Sequence, residues 1–314
     1  MKIVILDKAT LGEDLDLSPI TALGEAAVYE TSLPEEIAGR VRDAEVVVVN
    51  KLKLNESNLK GSKVRLICVA ATGYDPIDTD YCQKAGIALC NVPGYSSHSV
   101  AQLTVAIALS LVSHLAEYQE FTRSGEYTRK GIANWLQPVY HEVAGMKWGV
   151  VGGGAIGTRV AEIAAAMGCR VAVCRRRQEG AFPIEDIDTI CQTSDIISLH
   201  IPLTEETRNL ISRERIAAMK PGAILINTAR GGVTDEAALA DALERGHLGG
   251  LGIDVFTAEP FGEDHPFYAI RHLPNLLLTP HMAWGSAESR ARCVAVMAQN
   301  ITCFFEGHPQ NRIV

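Results

Sequence analysis

Positive charge is what this sequence has least of in proportion: 29 lysines and arginines face 37 aspartates and glutamates, a formal net charge of −8. That balance offers no general attraction to nucleic acid or to an anionic membrane surface, so neither is an expected partner. No long apolar run is present either. The most apolar helical stretch, VAQLTVAIALSLV, covers 13 residues and includes Gln102, well short of the roughly 20 needed to span a bilayer. The opening MKIVILD reaches an aspartate too soon for the apolar region of a secretory signal and reads as a first strand. The eight cysteines show no CxxC pair or ligand-like spacing, which removes the usual cysteine-based metal signatures and points to a reducing, cytoplasmic compartment. No low-complexity tract or short-period repeat is visible. A hydrophobic content of 47% with 21% charged residues excludes a disordered or fibrous chain.

What is present is a repeated alternation of short β-branched runs with helical patterns. The runs are IVIL (3–6), EVVVVN (45–50), RLICVA (65–70), KWGVVG (147–152), RVAVC (170–174), DIISLH (195–200), AILINT (223–228) and NLLLTPH (275–281). Continuous apolar strands separated by helices predict parallel sheets covered on both faces, hence an α/β, doubly wound class. The 314 residues suit two domains of roughly 100 to 200 residues each. The runs fall into two groups, divided by the apolar helix from about Ser99 and a polar segment before Trp148.

The strongest local signal is GVVGGGAIGTRVAEIAAAMGCRVAVC. Gly152, Gly154 and Gly157 fit GxGxxG between an apolar strand and an amphipathic helix whose first residues include Ala155 and Ile156. In that context the first glycine allows the tight turn, the second admits a pyrophosphate to the backbone, and the third lets helix pack on strand. The helix N-terminus then faces an anion.

Together with ATGYDPID (71–78), HIPLT from His200, INTARGG (226–232), GIDVFTAEP (252–260) and TPHMAWGS (279–286), this turn resembles the D-isomer-specific 2-hydroxyacid dehydrogenases over nearly the whole chain. Within that family, NKLKLN, GYSSHSVAQLT and HMAWGS are most similar to bacterial glycerate dehydrogenases, or hydroxypyruvate reductases. The resemblance implies a flavodoxin-like substrate-binding domain of about 1–97 and 285–314, and a Rossmann nucleotide domain of about 98–284 that carries a homodimer interface on its long helix and following arm. It implies reversible hydride transfer between a nicotinamide dinucleotide and a small D-2-hydroxy acid, with hydroxypyruvate/D-glycerate or glyoxylate foremost.

The site residues follow from the same motifs. His281 matches the general acid/base, and Glu259 the carboxylate that orients it and favours its charged form. Arg230 matches the fork that grips the substrate carboxylate. Thr72 and Gly73 are expected to turn N–H groups toward that carboxylate. Lys51 or Leu52 is placed near the substrate, although a solvated lysine fits the sequence as well. Asp254, His200, Pro202 and Thr228 match cofactor-lining positions. A same-fold formate dehydrogenase is disfavoured because it carries glutamine where Glu259 stands, and a non-enzymatic dinucleotide-sensing partner protein because the Arg230, Glu259 and His281 set is complete.

The second nucleotide-domain strand ends in three arginines, VAVCRRR. Dinucleotide folds that take NAD place an acidic residue about 20 positions beyond the glycines, where it holds the ribose hydroxyls. Here that place falls on Arg175, which removes repulsion toward a 2′-phosphate and offers it a charged fork. Arg176 or Arg177 supplies a second contact or stacks on adenine. NADP(H) is therefore the expected cofactor, with NAD(H) possible where Arg175 only covers the adenine.

Overall fold

Strands that are apolar at every position need cover on both faces, and the computed structural model, which describes residues 1–176 and 180–314, provides it twice. Arg177 lies outside the described residues. The chain divides into two compact units, Met1–Ser96 with Trp284–Val314, and Ser97–Ala283.

The first unit holds β1 (Lys2–Ile5), β2 (Glu25–Val28), β3 (Val46–Val49), β4 (Leu66–Val69) and β5 (Ala88–Cys90) in the order β2-β1-β3-β4-β5, all parallel. Successive side chains feed opposite cores. Ile3, Ile5, Val46, Val48 and Leu66 join Val294, Met297 and Ile301 of the helix Ala287–Phe305. Val4, Val47, Val49 and Ile67 join Ile37, Val41 and Leu59 on the other face.

The second unit holds β6 (Lys147–Val151), β7 (Arg170–Cys174), β8 (Ile196–Leu199), β9 (Ala223–Asn227), β10 (Leu248–Ile253) and β11 (Leu276–Leu278) in the order β11-β10-β9-β8-β6-β7, again parallel. Helices Ser97–Val112 and Ala155–Ala166 cover one face with Ala101, Ala108, Val160 and Ala164. Ile190, Leu239, Leu243 and Phe267 cover the other. The strand that a full Rossmann order places beyond β7 is reduced to a single parallel bridge, Val173 to Ile184.

The two doubly wound parallel sheets are those expected, but three strands have no counterpart among the sequence runs. β2 is a mostly exposed edge strand of EAAV, and β5 spans only Ala88–Cys90. β10 reads LGGLGI, a turn-like composition. Its glycines are set by packing: a Cβ at Gly252 would stand 2.2 Å from Ile107 Cγ2 of the long helix. Beyond that helix, the segment of helices Leu115–Arg123 and Glu126–Lys130 contributes no buried residue. Among the described residues no single helix is long and apolar enough to cross a membrane.

Candidate active site

The turn after β6 is built on close backbone approach. Gly152 has φ of +110° and a Cβ there would lie 2.4 Å from the His200 carbonyl oxygen; a Cβ at Gly157 would lie 1.8 Å from the Gly152 carbonyl oxygen. Any larger residue would push strand, turn and helix apart. Gly154 caps the helix Ala155–Ala166 without a side-chain hydrogen bond, and Gly154 and Ala155 are exposed while Ile156 is half-buried. The first amides of that helix therefore have no side-chain acceptor at the cap and face solvent at the positive end of its dipole.

Arg175 folds back over this turn, since a Cβ at Gly153 would meet Arg175 Cδ at 2.5 Å and one at Gly180 would collide with its Nη2. Arg175 lines a cavity of about 120 Å³ with Thr158, Glu162, Val173, Gly180, Ala181 and Phe182. Among the described residues its buried Nε and Nη2 have no hydrogen-bond partner. Buried donors left without a partner are costly, and an anion would relieve them. Arg176 differs: it is exposed and forms an ion pair with Glu206.

At the end of β8, the indole N–H of Trp148 donates to Ser198 Oγ at 3.0 Å, and Ser198 Oγ lies 3.0 Å from His200 Nε2. The buried Nδ1 of His200 has no partner among the described residues. Desolvation pushes this imidazole down to about 3, so it is neutral near pH 7. Pro202 accepts the Thr207 hydroxyl through its carbonyl. The Thr228 hydroxyl meets that of Thr104 at 3.0 Å; Thr104 donates to Val100 O, which leaves Thr228 as the donor between them.

Three loops carry the proposed chemistry. Arg230 follows β9 in a turn bracketed by Asn227, whose side chain accepts from Ala229 N–H and donates to the Arg230 carbonyl. Sequence reading missed Asn227; its only signal was a polar residue closing the apolar run AILIN. After β10, Asp254 is fully buried. Its carboxylate accepts from the Thr279 hydroxyl at 2.6 Å and from the N–H groups of Met282 and Ala283 at 2.9 and 3.0 Å. Burial raises this carboxyl above its ordinary value, against those hydrogen bonds. Asp254 thus anchors the turn that presents His281, a role its expected cofactor-lining place did not include. His281 sits at φ +53°, an uncommon conformation for a non-glycine residue that the anchored turn maintains. Its Nδ1 lies 2.6 Å from Glu259 Oε2, and Glu259 Oε1 accepts Phe256 N–H at 3.1 Å.

In the other unit, Thr72 is exposed and its hydroxyl donates to Val92 O, while Gly73 is half-buried. Lys51 has an exposed side chain, and its N–H donates to buried Asp7 at 2.7 Å. Leu52 packs against the apolar core around Val4 and Val47. Asp7, also missed from sequence, accepts Asn50 N–H as well.

A family model described as "D-isomer specific 2-hydroxyacid dehydrogenase, NAD binding domain" matches residues 105–283. The chain is 37% identical to a glycerate dehydrogenase of Methylorubrum extorquens, covering 99% of this chain and 98% of that protein. Among solved structures, it is similar to a D-lactate dehydrogenase from Aquifex aeolicus complexed with NAD and lactic acid, with a TM-score of 0.86, 30% identity and coverage of 98% and 96%. It is similar also to an acyclic imino acid reductase in complex with NADPH and D-arginine, with a TM-score of 0.87, 29% identity and full coverage of both chains.

Proposed function

The chain belongs to the D-isomer-specific 2-hydroxyacid dehydrogenase family, and from that premise we propose that it interconverts a small D-2-hydroxy acid and its 2-oxo acid with NADP(H), hydroxypyruvate/D-glycerate first and glyoxylate second. The observation that carries this reading is the 2.6 Å contact of His281 with Glu259, in the same unit as the glycine turn. A bound nicotinamide supplies or accepts the hydride.

The protein's own groups do the rest. With its Nδ1 side held by Glu259, the His281 ring is oriented so that Nε2 passes a proton to the substrate carbonyl oxygen during reduction and recovers it in oxidation. Arg230 grips the substrate carboxylate with its planar fork. In the other unit, Thr72 and Gly73 are assigned N–H groups for a carboxylate and Lys51 or Leu52 a substrate contact.

The residues present fit a dinucleotide. Gly152, Gly154, Ala155, Ile156 and Gly157 hold the pyrophosphate against uncapped amides, and Thr228, His200 and Pro202 line the cofactor. Arg175, whose buried Nε and Nη2 have no hydrogen-bond partner among the described residues, donates to the 2′-phosphate, which is the ground for preferring NADP(H). Solved relatives hold NADPH in one case and NAD in another, so Arg175 and not likeness supports the preference. Arg176 would reach the phosphate only by leaving Glu206.

Exposed Leu115, Leu136 and Val139, at 53%, 68% and 59%, mark the arm as an apolar surface that a second copy would cover. Light scattering of the purified protein should give the mass of a homodimer; a monomer would remove that assignment. The activity test mixes the protein with reduced cofactor and hydroxypyruvate, glyoxylate, pyruvate or phenylpyruvate and follows cofactor oxidation. Hydroxypyruvate should show the highest kcat/KM; no oxidation with any of them would refute the reading.

A further inference from the structure

We propose that Glu236 and His265 form a buried positioning pair that fixes where Glu259 stands against His281. The inference rests on the reading of Glu259 and His281 as the acid/base pair.

Glu236 opens the helix Glu236–Glu244 and His265 caps the helix Pro266–Ile270; they are only 7% and 9% exposed. Phe267 N–H donates to His265 Nδ1 at 3.3 Å. That nitrogen is therefore an acceptor, the proton sits on Nε2, and Nε2–H donates to Glu236 Oε2 at 3.1 Å. Glu236 receives two more bonds, both from Thr257: its N–H at 3.0 Å on Oε1, and its hydroxyl on Oε2. The donors to this carboxylate come from Thr257 and His265, which bracket Glu259 along the chain.

The adjoining residue completes the link. Phe256 N–H donates to Glu259 Oε1, so one peptide segment is held by Glu236 through Thr257 and itself holds Glu259 through Phe256. The turn that carries Arg230 presses on that segment, because a Cβ at Gly231 would stand 2.1 Å from the Phe256 carbonyl carbon and 2.3 Å from Thr257 N. Phe256, Phe261 and Phe267 surround the His265 ring with centroids 5.9, 4.8 and 5.2 Å away. They shield the pair from water, which strengthens its hydrogen bonds.

Stability alone does not account for such a pair, since replacing both hydrogen-bonded partners by well-packed apolar groups of the same shape is often nearly neutral or stabilising. What an apolar replacement lacks is direction. Three bonds converging on one carboxylate set the loop to a single position, and a catalytic geometry loses about 10²-fold in rate for a displacement near 1 Å. Within this unit the carboxylates acting on His281 are Glu259, by contact, and Asp254, which holds its turn. The Asp254 carboxylate bonds Thr279, Met282 and Ala283 rather than the segment 256–265, so a change in His281 on altering Glu236 reports the placement of Glu259.

The test compares wild type with Glu236→Ala, Glu236→Gln and His265→Gln. Expected for Glu236→Ala is a fall in kcat approaching about 10²-fold, with NADPH affinity, read by fluorescence titration, unchanged. The basic limb of the kcat/KM profile should move to lower pH, because a displaced Glu259 supports the imidazolium less. Glu236→Gln and His265→Gln, which keep part of the hydrogen bonding, should fall between. His281 should also titrate at lower pH in histidine-labelled NMR spectra, assigned with His281→Asn. That readout needs no turnover: an inactive wild type would count against the proposed reaction, whereas a His281 titration that is the same in every variant overturns the positioning role. Should Glu236→Ala fail to fold, the two glutamine variants carry the same comparison. Unchanged pH limbs in folded variants, or a loss of kcat proportional only to lost folded protein, likewise overturn it.

Discussion

The two sheets of this protein reverse strand order at equivalent places, between β1 and β3 in one unit and between β6 and β8 in the other, yet the two crevices are finished in opposite ways. In open α/β sheets such a crevice, outside the carboxyl ends of the strands, is where ligands bind. At the first, the protein fills it: Asp7, following β1, takes the N–H groups of Asn50 and Lys51, following β3, and is only 2% exposed. At the second, glycine keeps it clear. Gly152 follows β6 against the His200 carbonyl, the helix behind it has no side-chain cap, and His200 Nδ1 has no partner among the described residues. Topology offers the place twice; side chains decide whether it is left clear for a dinucleotide.

The largest expected effect tests whether chemistry and dinucleotide binding in the glycine-lined unit are separable. His281→Ala should lower kcat for 2-oxo acid reduction by about 10²–10⁴-fold while a binding titration shows cofactor affinity retained. If affinity falls with kcat, the two functions are not distinct. Next, Arg175→Asp should shift the NADPH to NADH ratio of kcat/KM by roughly 10 to 150-fold toward NADH, corresponding to a charge-assisted contact of about 1.5–3 kcal/mol. A wild type that prefers NADH would refute the role of Arg175.

The carboxylate-filled crevice is tested by Asp7→Ala. Leaving the Asn50 and Lys51 N–H groups without their acceptor should cost about 1–3 kcal/mol of stability, measured by urea unfolding, with dinucleotide affinity unaltered. A stable variant would mean that water serves those amides equally well.

The smallest effect is a pH dependence at the glycine-lined crevice. His200 is pushed down to about 3 in the folded protein from an ordinary 6.5. The unfolded chain therefore takes up a proton that the folded one refuses between those values, and stability falls as pH drops through 6.5 toward 3. At pH 5 this amounts to at most about 2 kcal/mol. His200→Gln should reduce the loss of Tm between pH 7 and 5; an identical loss in both proteins would show that His200 is not the group responsible.

Much of the fold was legible because β-branched runs such as VVVV and LICV declare fully buried strands wherever they occur. β10 was not, because LGGLGI makes sense only once Ile107 is seen against Gly252. The mobile-looking composition of a glycine run and the close-packed backbone of a strand are the same letters. Likewise the motifs containing Arg230, Glu259 and His281 stood out as patterns, while Asn227, which brackets the Arg230 turn, and Asp254 as anchor of the His281 turn became visible only through their hydrogen bonds.

By itself the sequence determined what local geometry can encode: two sets of parallel strands, and a glycine spacing that only a tight strand-to-helix turn explains. The tertiary structure alone decided which distant groups meet. Glu259 and His281 are 22 residues apart, Glu236 and His265 29, and Asp7 and Asn50 43. Arg175 could be counted to the end of β7, but its place over Gly153, with Nε and Nη2 lacking a partner among the described residues, could not. The reason is physical: backbone conformation follows from neighbours in the chain, whereas a hydrogen bond between loops depends on where separate strands end in space, and that is fixed only when the whole sheet has packed.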